Sequence, residues 1–187
     1  MEDLISKIKS RLHLSSKAEE FIYSISKEKT LPKGDVLIRQ GQVVKKTFFV
    51  TAGCLRSYCI DKNGKEHTLL FAIKDWWISD YIAIHSDELA TLTVECLTES
   101  TVIEFNAKEL DGIHARFPEF ESYQRHNLER HVVSLHKRIL NQLQLSATER
   151  YDLFLKQYPD IERHTRNYHI ASLLGITQES LSRIRVE

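Results

Sequence analysis

"ASLLGITQESLSRIR", residues 171–185, carries the punctuation of two short helices joined by a tight turn. With Asn167 as the first residue of the pair, Ile170, Leu174, Ile176, Leu181 and Ile184 fall where two crossing helices must bury apolar side chains. Ala171 stands where the helices approach closely and only a small residue fits. Gly175 stands at the turn, where φ is positive and a Cβ would be strained. Thr177 suits an N-cap, and Glu179 in the following turn suits the positive end of the helix dipole. The pattern predicts a helix-turn-helix whose second helix, from Gln178 to Arg185, is of the recognition type.

The local charge agrees with that reading. The 187-residue chain is neutral overall, 26 Lys and Arg against 26 Asp and Glu, so no global field draws it to nucleic acid. From Arg163 to Arg185, however, Arg163, Arg166, Arg183 and Arg185 face only Glu179, a net of +4 − 1 = +3, to which His164 and His169 can add. Gln178, Glu179, Ser182 and Arg183 are expected on the exposed side of the second helix. There Gln suits adenine, Glu accepts from cytosine N4, and Arg bridges guanine O6 and N7. Thr177 is counted with these contacts, while Arg166, Tyr168 and Arg185 are placed to meet the DNA backbone.

Upstream, the chain divides by texture. Residues 2–28 read as helices, with Leu4, Ile5, Ile8 and Leu12 on one face and Phe21, Ile22 and Ile25 on another; Ser16 and Glu19 have the form of a capping box. From Leu31 to Asn106 short β-type runs alternate with turns, as in a small barrel or roll. "DKNG" at 61–64 joins "LRSYCI" to "KEHTLLFAI" as a hairpin, and "TLTVECL" with "STVIEF" reads as a second strand pair across Thr98 and Glu99. Asn106 and Glu109 cap a short helix that ends at Phe117, and Pro118 opens a long one reaching about Gln144. Along it Leu128, Val132, Leu135 and Ile139 form a coiled-coil-like stripe, expected to be a dimer seam. Ser146 and Glu149 repeat the capping-box pattern and begin a further helix.

Other chemistry finds little support. Cys54, Cys59 and Cys96 are odd in number and form no C-x-x-C pair, which favours free thiols in a reducing cytoplasm and core packing over redox sensing. His126, His131 and His136 point about 140° apart on a helix and cannot share an ion. "HSDE" at 85–88 reads as a solvated loop. A cupin-type metal enzyme needs a close His pair and a carboxylate inside the barrel, where the strands offer only His67. Neither a phosphate-cradling glycine loop nor Gly-x-Ser-x-Gly is present, so no enzyme, cofactor or metal is expected. No apolar run approaches the roughly 20 residues that span a bilayer, and "MEDLISKIKSRL" is charged rather than signal-like, so no membrane contact is expected either. The non-enzymatic rival is a roll that mediates protein or small-ligand contacts and carries a vestigial helix-turn-helix.

"LPKGDVLIRQGQ", "TFFVTAGCLRSY" and "SATERYDLFLKQYPDI…IASLLGITQESLSRIR", taken together, resemble the Crp/Fnr family of bacterial transcription regulators, and in particular its shorter Bacteroidetes-type members. The resemblance implies an α+β fold with three parts. These are an N-terminal double-stranded β-helix of jelly-roll type as sensor (1–117), a long dimerisation helix (118–145), and a helical, winged-helix-like DNA-binding segment (146–187). It also implies a cytoplasmic homodimer on a palindromic double-stranded operator, with RNA polymerase as a further partner and an effector of unknown chemistry. An Arg-Glu pair followed one turn later by Arg reads bases in the family; Glu179 and Arg183 match, and Gln178 replaces the first Arg. Members that bind cyclic AMP carry Gly-Glu followed about ten residues later by Arg-Ser. The corresponding positions here are Ser79-Asp80 and Ala90-Thr91, and no Lys or Arg lies between Lys74 and Lys108. Burying a phosphate without a cationic partner is costly, so cyclic nucleotides are not expected to bind. No cysteine precedes Cys54, so the iron–sulfur cluster of other members is not expected, and the chain stops at Glu187, before the further strands or wing that some members add.

Overall fold

A computed structural model describes residues 1–186. Two helices, α1 (Glu2–Lys9) and α2 (Ser16–Ser24), precede eight strands: β1 (Ser26–Leu31), β2 (Val36–Ile38), β3 (Lys46–Ala52), β4 (Leu55–Ile60), β5 (Glu66–Ala72), β6 (Trp77–Ile78), β7 (Thr93–Cys96) and β8 (Ser100–Asn106). A short helix, α3 (Tyr81–Ser86), interrupts them after β6. The strands form two antiparallel four-stranded sheets, ordered β1-β8-β3-β6 and β2-β7-β4-β5. Helices α4 (Ala107–Asp111), α5 (Ile113–Arg116), α6 (Glu119–Gln144), α7 (Ala147–Gln157), α8 (Ile161–His164), α9 (Asn167–Leu174) and α10 (Gln178–Ile184) complete the chain. This is the α+β arrangement of roll, long helix and C-terminal helices that the sequence predicts.

Strand alternation explains why three cores form. On β3, Phe48 and Val50 point between the sheets toward Leu55, Val94 and Val102, whereas Phe49 points outward. The outer face of the first sheet, Phe49, Ile103 and Phe105, is covered by Leu4, Ile5 and Ile8 of α1, by α2, and by Phe120 at the start of α6. On the second sheet Phe71 points outward and is fully buried by Phe154 and Tyr158, with ring centroids 6.2 and 6.0 Å away. That third core continues without a break through Ile170, Ala171, Leu174 and Leu181, so the C-terminal helices pack directly on the roll.

Four local expectations need correction. Residues 26–28 are strand rather than helix: β1 is a polar edge strand, held by β8 and by the Lys29–Glu104 ion pair at 2.7 Å, and its charged side chains hide the alternation that marks buried strands. "TLTVECL" and "STVIEF" do not pair with each other, because β7 and β8 lie in opposite sheets. Residues 97–99 cross between the sheets and fasten to the other crossing at Gly53–Cys54, through Leu97 N–H to Cys54 O (2.8 Å) and Cys54 N–H to Thr98 Oγ1 (3.0 Å). Gly53 (φ +86°) is required there, since a Cβ would stand 2.5 Å from Glu99 O. The cap of α2 is Ser15, not Ser16; its Oγ accepts from Ala18 N–H and donates to Glu119 on α6, while Glu19 pairs with Lys9. The helix after Asn106 breaks at Gly112 into α4 and α5. By contrast the capping box at Ser146 and Glu149 is present with both bonds.

Helix α6 is about 39 Å long at 1.5 Å per residue. One side leans on the rest of the molecule: Arg11 bonds Asn127 (3.1 Å), the His131 ring lies tilted 6.1 Å from that of Tyr81 on α3, and Arg138 donates to Leu69 O on β5. Roughly a quarter of a turn away, Leu128, Val132, Leu135 and Ile139 share an arc of about 60° and are 59, 47, 36 and 54% exposed. Among the described residues no helix is long and apolar enough to cross a membrane.

Candidate nucleic-acid interface

The turn between α9 and α10 is built as its residues dictate. Gly175 adopts φ +68°, ψ +34°, and Ile176 N–H reaches back to Ala171 O (3.0 Å), closing α9. Thr177 then starts α10, its Oγ1 accepting from Ser180 N–H (3.1 Å). Ile170, Ala171, Leu174 and Leu181 are buried at the crossing of the two helices, which fixes their angle and turns the other side of α10 outward.

That outward side carries the side chains expected to read bases. Gln178, Glu179, Ser182 and Arg183 are exposed. Glu179 is held below the usual carboxylate range, first by its own amide and then by the Thr177 hydroxyl, so it stands there ionised, as an acceptor. Thr177 is exposed but spends its hydroxyl on the cap. The residues expected at phosphates divide. Arg166, the N-cap of α9, is exposed. Arg185 is engaged internally, donating to Asn167 (2.6 Å), Tyr151 (3.1 Å) and Glu162, an acid one residue outside the charged window. Tyr168 faces the roll, where its hydroxyl accepts from Glu66 N–H at 3.2 Å.

The roll meets α9 along β5, the edge strand of its sheet. Ser172 Oγ accepts from Thr68 N–H (2.8 Å) and donates to Glu66 O (3.1 Å). Beneath lies Arg56 of β4, 2% exposed. Its guanidinium donates to Glu95 (2.6 and 3.0 Å), to Glu66 (2.7 Å) and to Nδ1 of His169, and it stacks 3.8 Å from the centre of the Tyr58 ring. A donor on Nδ1 leaves the His169 proton on Nε2 and the ring neutral. Burial and then Arg56 push His169 down to about 4, although Glu66 Oε2 lies 3.9 Å away.

Elsewhere in the roll, Asp80 is fully buried and caps α3. Its Oδ1 accepts from Ala83 N–H (3.1 Å), and its Oδ2 accepts from Thr91 N–H (2.6 Å), Thr91 Oγ1 (2.9 Å) and Leu92 N–H (2.8 Å). The chain's own carboxylate thus occupies a nest of four donors.

Residues 28–117 match the cyclic nucleotide-binding domain family. The fold extends the likeness over nearly all of the chain. FixK2 from Bradyrhizobium japonicum superposes with a TM-score of 0.73 at 17% identity, over 87% of this chain and 83% of that one. A regulator of the crp/fnr family from Eubacterium rectale gives 0.71 at 19%, over 91% and 82%. The c-di-GMP responsive global regulator CLP from Xanthomonas campestris gives 0.68 at 12%, over 91% and 89%. The chain has the Crp/Fnr fold. No curated protein sequence matches it.

Within this Crp/Fnr fold two of the three cysteines are core residues, and Cys59 is half-buried. Cys54 and Cys96 are buried, and burial pushes their thiols up to about 12 and about 11, which leaves them protonated and unreactive. Among the described residues no three His, Cys, Asp or Glu side chains gather to hold a metal. The sequence leaves unmarked Arg56, Glu66 and Ser172, which join roll to helix-turn-helix, and it counts His169 toward the positive face, whereas burial and Arg56 keep that ring neutral. The one local signal was Arg56 itself, a cation inside the apolar strand "LRSYCI".

Proposed function

We propose that this chain is a homodimeric transcription regulator that reads a palindromic DNA site through α10 and binds no cyclic nucleotide. The observation that carries the DNA reading is the exposed row Gln178, Glu179, Ser182 and Arg183 on a helix whose other side is locked into the core. Arg183 takes a guanine and Arg166 a phosphate, while Arg185 holds α10 to α7 and α8. The apolar stripe of α6 supports the dimer, and a two-fold pair places the two α10 helices one DNA turn apart, about 34 Å. RNA polymerase and an effector of undefined chemistry are further partners on this reading.

Selection from randomised duplexes tests it. Wild type should enrich a two-fold-symmetric site. Arg183→Ala should lose about 1–3 kcal/mol and relax one position in each half-site. Arg166→Ala should weaken all sequences alike and lower the salt slope by about one. If Arg183→Ala keeps every wild-type preference, α10 is not the reader.

The pocket reading rests on Asp80. Its carboxylate already takes the donors that a bound anion would need, and the surrounding segment from Asp75 to Ala107 offers no Lys or Arg. Calorimetry with cyclic AMP, cyclic GMP and c-di-GMP should give no heat of binding at micromolar ligand. A low-micromolar dissociation constant for any of them would reverse the assignment.

A further inference from the structure

The contact between α9 and β5 has the form of a registered clamp. Glu66 and Thr68 turn backbone groups away from β4, toward the free edge of the sheet, and α9 covers that edge with hydroxyls instead of a strand. Tyr168 and Ser172 are four residues apart on one helix face, a rise of about 6 Å. Glu66 and Thr68 are two residues apart on a strand, about 6.8 Å. The two repeats nearly coincide, so both hydroxyls bond at once in a single register, and a slip of either element breaks both. Arg56 adds a lateral pin, tied at once to Glu95, Glu66 and His169. Phe71, on the same strand, is sealed between Phe154 and Tyr158.

Strand β5 is also where α6 is attached, through Arg138 to Leu69 O. One strand therefore joins the proposed dimer helix to the helix-turn-helix, while the outward side chains of α10 take no part in the contact. We propose that this clamp positions the recognition helix, with Arg56, Tyr168 and Ser172 as positioning residues that fix the separation of the two half-sites without reading their bases. The inference rests on the DNA-reading function proposed above.

The test uses the full chain and duplexes whose two half-sites are separated by variable spacers. Wild type should bind one spacer class, with neighbouring lengths weaker. Tyr168→Phe combined with Ser172→Ala removes the bonds to β5 while keeping the ring and the core. This variant should keep the half-site sequence and single-half-site affinity, accept neighbouring spacers, and lose on the order of tenfold on the best one. Ser172→Thr, which retains the hydroxyl, should restore discrimination toward wild type when paired with native Tyr168. Amide exchange gives a readout independent of DNA: Glu66 and Thr68 N–H should be protected in wild type and fast in the double variant. Unprotected amides in wild type, or wild-type spacer discrimination in the double variant, overturn the clamp alone. A wild-type protein that enriches no two-fold site overturns the clamp together with the DNA reading.

Discussion

Arg56→Ala is expected to cost about 3–5 kcal/mol of folding stability, because it removes one partner of a buried ionic cluster and leaves the others uncompensated. Arg56 is 2% exposed, and Glu95 and Glu66 keep side-chain exposures of only 19 and 31%. Without the guanidinium, Glu95 faces no cation and His169 loses its donor. The contrasting case is Arg125–Glu129, a 2.8 Å pair one turn apart on α6 with exposures of 68 and 54%. Water screens that pair, and Arg125→Ala should cost no more than about 0.5 kcal/mol. Urea unfolding followed by tryptophan fluorescence compares the two, with Trp76 and Trp77 as reporters in the roll. Replacing the cluster as a whole, Arg56→Met with Glu66→Gln and Glu95→Gln, should recover part of the loss, since no isolated charge then stays buried. An Arg56→Ala protein within 0.5 kcal/mol of wild type would show that the cluster contributes little.

The contrast between those two arginines also marks what was legible in the sequence. The helix-turn-helix was readable because its determinants are local: Gly175, Thr177 and the apolar spacing all act within a few residues. The capping box at Ser146 and the hairpin at 61–64 were readable for the same reason. What escaped is set by distant partners. Its place in the helix pair points Tyr168 to DNA, but its hydroxyl bonds Glu66, 102 residues earlier in the chain. The charges of residues 163–185 leave Arg185 free for DNA, but Glu162, one residue before that segment, pairs with it. The strands on either side of Thr98 and Glu99 look like a hairpin locally. The contact of residues 97–99 with Gly53 and Cys54 sends them to different sheets. Sequence patterns set most of the elements; the contact that orients α10 depends on which strand edge its neighbour helix meets.

Leu135→Asp is expected to turn a dimer into monomers, an effect larger for assembly than for folding. In a single chain Leu135 already keeps 36% of its surface exposed, so the substitution costs that chain little beyond a helix-propensity difference of about 0.5 kcal/mol. In a two-fold pairing along Leu128, Val132, Leu135 and Ile139 the same change places two carboxylates in one apolar seam. Each must be desolvated without a partner, at a cost of several kcal/mol, or on the order of a hundredfold to a thousandfold in the dimer dissociation constant. Val133 is the control. It is 50% exposed on the same helix but lies outside the arc of the stripe, so Val133→Asp should leave assembly unchanged. Sedimentation at tens of micromolar separates the outcomes: wild type and Val133→Asp as dimers, Leu135→Asp as a folded monomer. A monomeric wild type would overturn the seam. If the seam holds, the Leu135→Asp monomer should still recognise a single half-site, because α10 and its clamp to β5 lie within one chain, and should lose the gain that comes from engaging two half-sites together.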